Sequence, residues 1–238
     1  MKYALIVFII LGVVFKSEAG DLAIGPALSA KEDNRVNNGE ATGEFILVPF
    51  PFISYTDENF FIQGNFGVWR LTHSKMFTFG PMLSISDPVY STDGIDERKR
   101  GIWGGMHFRL AFFMIEWQWD LVGFSRGMKL NANLVYPVKF SDKFTTVVQL
   151  GQFFFDKNFV RYYYNVSAEE SLDSGLPVYN GDDSHRAFFR LYNIYSFMDP
   201  WQLRFLIQYN IEGSDISDSP TVSEKDRFGY LLALLYKF

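Results

Sequence analysis

The stretch "WQLRFLIQYNI", residues 201–211, alternates at a period of two. Its odd positions are Trp201, Leu203, Phe205, Ile207, Tyr209 and Ile211; its even positions are Gln202, Arg204, Leu206, Gln208 and Asn210. Successive side chains of a strand point to opposite faces, so one face is wholly apolar and the other is polar except for Leu206. "IEWQWDL" repeats the split, with Ile115, Trp117, Trp119 and Leu121 against Glu116, Gln118 and Asp120. "KLNANLVY" sets Leu130, Ala132, Leu134 and Tyr136 against Lys129, Asn131 and Asn133. Sandwich strands average about five or six residues, whereas these segments run to about twelve. At roughly 3.3 Å per residue and a tilt of about 40°, that length rises about 30 Å, enough to cross an outer membrane. Aromatics at the ends of the apolar rows, among them Trp201, Tyr209, Tyr136 and Tyr230, fit the interfacial girdles of such barrels. The fold expected is an all-β, antiparallel up-and-down barrel in the bacterial outer membrane.

Composition agrees with that reading. Aromatic residues make up 18% of the 238-residue chain, high for a soluble domain of this size. "MKYALIVFIILGVVFKSEA", residues 1–19, has a basic start at Lys2, an apolar run from Ala4 to Phe15, and small residues at Ser17 and Ala19. This is the pattern of an export signal cleaved near Ala19; an apolar run of about twelve residues is short of the roughly twenty that a spanning helix needs. Residues 20–238 are then the barrel domain. Losing Lys2, Lys16 and Glu18 changes the net charge from -5 to -6, an acidic balance that argues against nucleic acid as a partner. The absence of cysteine excludes disulfides, thiolate metal sites and a cysteine nucleophile.

Strands are expected near 22–30, 43–55, 58–70, 75–86, 101–114, 115–125, 128–139, 143–155, 185–197, 200–211 and 226–238. Single-chain bacterial barrels have even strand numbers, so this odd total requires one N-terminal revision. Either the segment containing "VPFPF" is broken in two, giving twelve strands, or the first segment does not join the wall, giving ten. "SFMDPW" and "KFSDKF" read as periplasmic turns, and 87–100, 156–184 and 212–225 as loops on the outer side. "YLLALLYKF" puts Tyr230, Leu232, Leu234, Tyr236 and Phe238 on one face. It resembles the terminal signal read by the barrel-assembly machinery as an exposed strand edge.

The loop "FVRYYYNVSAEESLDSGLPVYN", residues 159–180, breaks the alternation. Ser167 followed by Glu170 is a capping box that opens a short helix over about Ala168–Ser174. Gly175 supplies a left-handed closure and Pro177 bars resumption. The segment therefore reads as a folded lid or plug for the outer mouth. "NVS" at Asn165 has the form of a glycosylation acceptor, which in a bacterial barrel is a chance match.

Within that loop, Tyr163, Val166, Ser167, Ser174, Gly175, Leu176, Pro177 and Tyr179 resemble the hallmark of the MltA-interacting protein (MipA/OmpV) family, with its Tyr-rich strand end and Ser-Gly-Leu-Pro-x-Tyr. "VPFPFISY", "DSPTV" and the final "LLYKF" are similar to further family segments, so the likeness runs from about residue 22 to the end. A short N-terminal region and many Phe residues depart from the family pattern. The resemblance implies an outer-membrane barrel without catalysis or cofactor. It also implies a scaffold joining a lytic murein transglycosylase to a penicillin-binding murein synthase in peptidoglycan biogenesis, or an adhesion role. Outer-membrane lipid and the assembly machinery are its other expected partners.

Alternation places His107, Arg109, Glu116, Asp120, Lys129, Arg186, Arg190 and Arg204 in the lumen. Charges of both signs in a narrow barrel pair and fill it, because an unpaired buried charge is costly. The competing expectation is a small-solute pore biased toward anions by Arg186, Arg190 and Arg204. An enzyme would need a nucleophile and base in contact. The adjacent pairs His73–Ser74 and Ser184–His185 point to opposite faces of a strand, and three histidines without a clustered second ligand give no metal site.

Overall fold

Residues 201–211 form most of a strand, β15 (Trp201–Glu212), in which Arg204, Asn210 and Glu212 are buried while Phe205 and Ile211 face outward and are exposed. The computed structural model describes residues 20–37, 40–41, 45–72, 74, 76–86 and 89–238. The expected export signal lies outside them.

The strands of the wall are β1 (Asp21–Glu32), β4 (Phe45–Thr56), β5 (Phe60–Gln63), β6 (Phe66–Trp69), β7 (Phe77–Ser86), β10 (Gly101–Leu110), β11 (Phe113–Asp120), β12 (Met128–Lys139), β13 (Phe144–Phe155), β14 (Ser184–Met198), β15 and β16 (Asp226–Lys237). Each pairs antiparallel with its neighbours in chain order, and β1 pairs β16 to close the barrel. Two small hairpins stand outside it: β2 (Val36–Asn37) with β3 (Glu40–Ala41), and β8 (Tyr90–Thr92) with β9 (Ile95–Arg98).

The wall thus has twelve strands among the described residues, an even number reached by a different route from the one expected. The "VPFPF" segment is continuous within β4, and the first segment joins the wall. The revision falls on 58–70, which is a hairpin of two four-residue strands. Gly64, at a φ of +60°, turns the chain there with Asn65, a conformation that glycine adopts without steric cost. The expected strand 115–125 stops at Asp120, because residues 121–127 form a loop. Outer-membrane barrels pair short periplasmic turns with longer outer loops, which puts the hairpins at 111–112, 140–143 and 199–200 on the periplasmic rim and the long connections on the outer one.

Apolar side chains cover the outside, including Leu134, Leu150, Leu232 and Leu234. Rings collect at both rims. Trp201 meets Tyr236 at 5.3 Å and Tyr236 meets Phe238 at 4.9 Å below; Tyr209 meets Phe228 at 4.8 Å and Phe45 meets Tyr230 at 6.0 Å above. The inner face carries an apolar cluster of Ala23, Ala27, Phe52, Ala233 and Leu235.

Candidate functional site: the lumen and its outer plug

The lumen is filled by polar side chains in layers. His107 Nδ1 lies 3.2 Å from Glu116 Oε1, and Asn131 donates to Glu116 Oε2 at 2.9 Å. Arg190 donates from Nε to Gln208 at 2.8 Å and from a terminal nitrogen to Gln149 at 2.9 Å, spanning three strands. Arg204 donates to the Tyr192 hydroxyl at 3.2 Å and lies over the ring of Phe52. Lys129 donates to Ser86 at 2.7 Å and sits 3.8 Å from the centre of the Trp103 ring.

Above these layers, Arg186 donates from Nε to both carboxylate oxygens of Glu212, at 2.8 and 2.9 Å. Arg227 approaches the same carboxylate at 3.3 Å. The Glu212 side chain is fully removed from solvent, and two guanidiniums meet its charge. Neither Glu212 nor Arg227 was among the lumen residues expected from the alternation, although both sit at inward positions of their strands. Arg227 is opposite in parity to the Tyr230–Phe238 row and lies three residues before it, so the same alternation carried back to residue 227 places it inward.

Two expected lumen residues do other work. Asp120, at the top of β11, accepts from the N–H groups of Val122, Gly123, Ser125 and Arg126 and so holds the 121–127 loop. Arg109 donates to the carbonyl of Ala111 at the periplasmic turn. Glu116, Lys129, Arg186, Arg190 and Arg204 line the interior.

The outer mouth is covered by a plug built from four connections. The family-like loop, expected over 156–184, begins with helix α1 (Lys157–Tyr164), where the resemblance implied a Tyr-rich strand end. Asp156 caps it by accepting from Phe159 N at 3.0 Å, and Phe159, Val160, Tyr163 and Tyr164 fall three and four residues apart on its buried face. Phe159 stacks on Phe155 at 4.3 Å and meets Trp103 at 5.7 Å, with Ile216 and Val222 from the last loop completing the cluster. The second helix, α2 (Ala168–Ser174), has the capping box on Ser167 and Glu170 and ends at Gly175 with a φ of +74°. Val166 and Tyr179 bridge across the loop, and Leu176 packs beside them against Tyr90 and Ile95.

Glu170 also reaches outside its own helix. Its Oε1 accepts from Arg98 at 2.6 Å and from Asp96 N at 3.1 Å, tying α2 to the β8–β9 hairpin. Burial raises its pKa, but the N–H groups of Ser167 and Asp96 and the guanidinium of Arg98 outweigh that and hold it below the ordinary carboxyl value. Arg35, almost wholly buried, joins the remaining connections. It lies 4.0 Å from the Tyr90 ring centre and 4.4 Å from that of Tyr164, and it donates to Thr221 Oγ1 at 3.0 Å and to the carbonyl of Tyr163. Burial lowers its pKa. No local sequence pattern distinguishes this arginine from its neighbours. A cleft of about 440 Å³ remains on the outer surface between Arg98, Arg161, Tyr162, Asn165, Glu170 and Tyr179.

Of the adjacent hydroxyl and imidazole pairs, Ser184 is buried toward the interior while His185 is exposed on the other face. His73 lies outside the described residues. Among the described residues no group of three His, Asp or Glu side chains could hold a metal ion.

The model of the family described as "MltA-interacting protein MipA" matches residues 28–238. The chain belongs to this family. A relative named MltA-interacting protein, from Escherichia coli (strain K12), is 27% identical over 208 residues, covering 81% of this chain and 82% of its own. A putative outer membrane protein, YiaT, from Escherichia coli O157:H7, is 23% identical over 232 residues, covering 92% of each. Among solved structures, the NanC porin aligns with a TM-score of 0.41 at 10% identity, over 92% of this chain and 99% of that one. An outer membrane channel from Pseudomonas putida F1 aligns with a TM-score of 0.38 at 10% identity, over 92% and 95%. This MipA-family chain is a closed outer-membrane β-barrel, with twelve wall strands among the described residues.

Proposed function

We propose that this MipA-family barrel is a non-enzymatic scaffold of the outer membrane, holding a murein hydrolase and a murein synthase together in peptidoglycan biogenesis. The observation that carries the reading is the buried Arg186–Glu212–Arg227 cluster beneath the plug. A lumen occupied by paired charges leaves the two ends of the barrel as working surfaces. The relative from Escherichia coli that bears the name MltA-interacting protein supports a lytic murein transglycosylase as one partner. On the periplasmic side, Phe112 and Phe140 are exposed at hairpin tips, where an enzyme anchored at the inner face would make contact. Co-purification in mild detergent with a lytic murein transglycosylase or a penicillin-binding synthase is the expected outcome. A clean failure, under conditions that preserve a control complex, would remove the scaffold reading.

The folded outer face favours one further reading, that of a surface adhesin. Its cleft is framed by α1, α2 and the β8–β9 hairpin, all fixed by hydrogen bonds across loops. Replacing 165–180 with a short linker in an inserted barrel should abolish adhesion under this reading and leave enzyme co-purification unchanged under the first.

A further inference from the structure

On the outer half of the wall, β4 has a strand partner on one side only among the described residues. The β5–β6 hairpin is short, and β4 pairs with β5 only at Ser54–Thr56, with Gly64 N reaching the carbonyl of Ile53 at 2.8 Å. On the far side, β6 pairs with β7 only at Met82–Ser84, and Asn65 bonds the carbonyl of Ile85. Above the tip of this hairpin, β4 continues upward from Phe52 to Phe45, paired with β1 alone. Because Ile53 directs its backbone toward β5, alternation directs the backbones of Phe45, Leu47, Pro49 and Pro51 toward the same open side. No backbone hydrogen bond reaches those four from that side among the described residues.

Pro49 and Pro51 therefore stand where the open edge would otherwise present N–H groups. Proline at such positions removes donors that no partner strand would satisfy and blocks addition of a strand. The edge also lies within the apolar band. Phe45 belongs to the upper ring girdle with Tyr230, and Leu47, on the outward row of β4 beside the opening, is exposed. Behind the opening the lining is apolar: Phe50 packs on the cluster of Ala27 and Phe52, and Phe52 lies directly beneath Gly64. Val48 shares the inward side of β4 with these rings, yet it is 38% exposed.

We propose that this notch is a docking slot for the acyl chain of an outer-membrane lipid, which enters along the unpaired edge of β4 above the β5–β6 hairpin and lies against Val48 and Phe50. The slot is continuous with the lipid-facing surface, so hydrocarbon is what bathes it, and the two prolines exclude a peptide strand as the occupant. It is independent of the scaffold reading and stands or falls separately.

The test uses the whole barrel in nanodiscs containing phosphatidylglycerol with a diazirine on its acyl chain. After irradiation, labelled residues are mapped by mass spectrometry. The expected result is labelling at Val48 and Phe50 comparable to that at outward-facing Leu134, and several-fold above that at Phe188, an inward residue of the far wall. Labelling at Val48 and Phe50 no higher than at Phe188, with Leu134 strongly labelled, would overturn the proposal.

Discussion

Arg186 and Glu212 face each other across β14 and β15 with two hydrogen bonds from one guanidinium nitrogen, and the carboxylate between them is sealed from solvent. Taking such a pair out of water is costly, and breaking it leaves a charge that nothing nearby compensates. Glu212→Gln would leave Arg186 and Arg227 facing each other without their shared anion. The expected loss is about 3 kcal/mol, at the lower end for breaking a buried pair, because Gln keeps one acceptor. The midpoint of urea unfolding, followed by heat-modifiable gel mobility, measures it.

Acid should release the plug before it opens the wall. Glu170 has a folded-state pKa held below its ordinary value of 4.5, so its contribution to docking α2 on the β8–β9 hairpin is fully present above that value. The contribution is lost as pH falls through the folded pKa. Hydrogen exchange across 165–180, corrected for intrinsic rates, should accelerate below about pH 4.5 while exchange in β12–β15 does not. In Glu170→Gln the acceleration should already be present at pH 7.

Gly94 packs against the end of α2 with no room for a side chain. Its φ is +75°, and a Cβ there would lie 2.4 Å from the Ser174 backbone nitrogen at the end of α2. Gly94→Ala therefore adds a backbone strain of about 1–2 kcal/mol to a clash that no side-chain rotation relieves. Surface protease should cut within 165–180 in intact cells carrying this variant and spare the parent protein, with barrel mobility on gels unchanged.

Arg190, Glu116 and Arg186 are tied to residues of neighbouring strands, and Lys129 on β12 reaches Ser86 on β7 past two intervening strands. Purified protein in planar bilayers is expected to give no stable conductance steps. Reproducible steps at low voltage would show a conducting lumen instead.

The C-terminal aromatic row is expected to matter more for delivery than for final stability. Phe238 is 73% exposed at the rim, touching Tyr236 at 4.9 Å. Phe238→Ala should reduce assembled barrel in cells several-fold, while refolded protein in detergent keeps its urea midpoint to within about 0.5 kcal/mol.

Much of this architecture is written locally. A period of two needs only neighbouring residues, so the outward row of 201–211, the inward side of 128–136 and the final aromatic row are legible from the chain. The same holds for the capping box at Ser167 and Glu170 and the closure at Gly175, where all partners lie within one turn of helix. The helix over 157–164 was legible in principle, through Asp156 and the spacing of Phe159, Val160, Tyr163 and Tyr164, but its aromatic content also suits a strand end.

Other features depend on pairings between distant residues. Whether 58–70 is one strand or two turns on Gly64, and only the register against β4 and β7 fixes it. Glu212 acquires its role from Arg227, which is brought beside it by the pairing of β15 with β16. Arg35 acquires its role from Tyr90, Tyr164 and Thr221, which three separate connections carry to it. The amino-acid sequence by itself determined which faces meet lipid and which meet the lumen, because alternation is a property of each strand alone. The closed tertiary structure decided which charges share a partner and which edge of β4 goes unpaired among the described residues, because both follow from registers set between strands far apart in the chain.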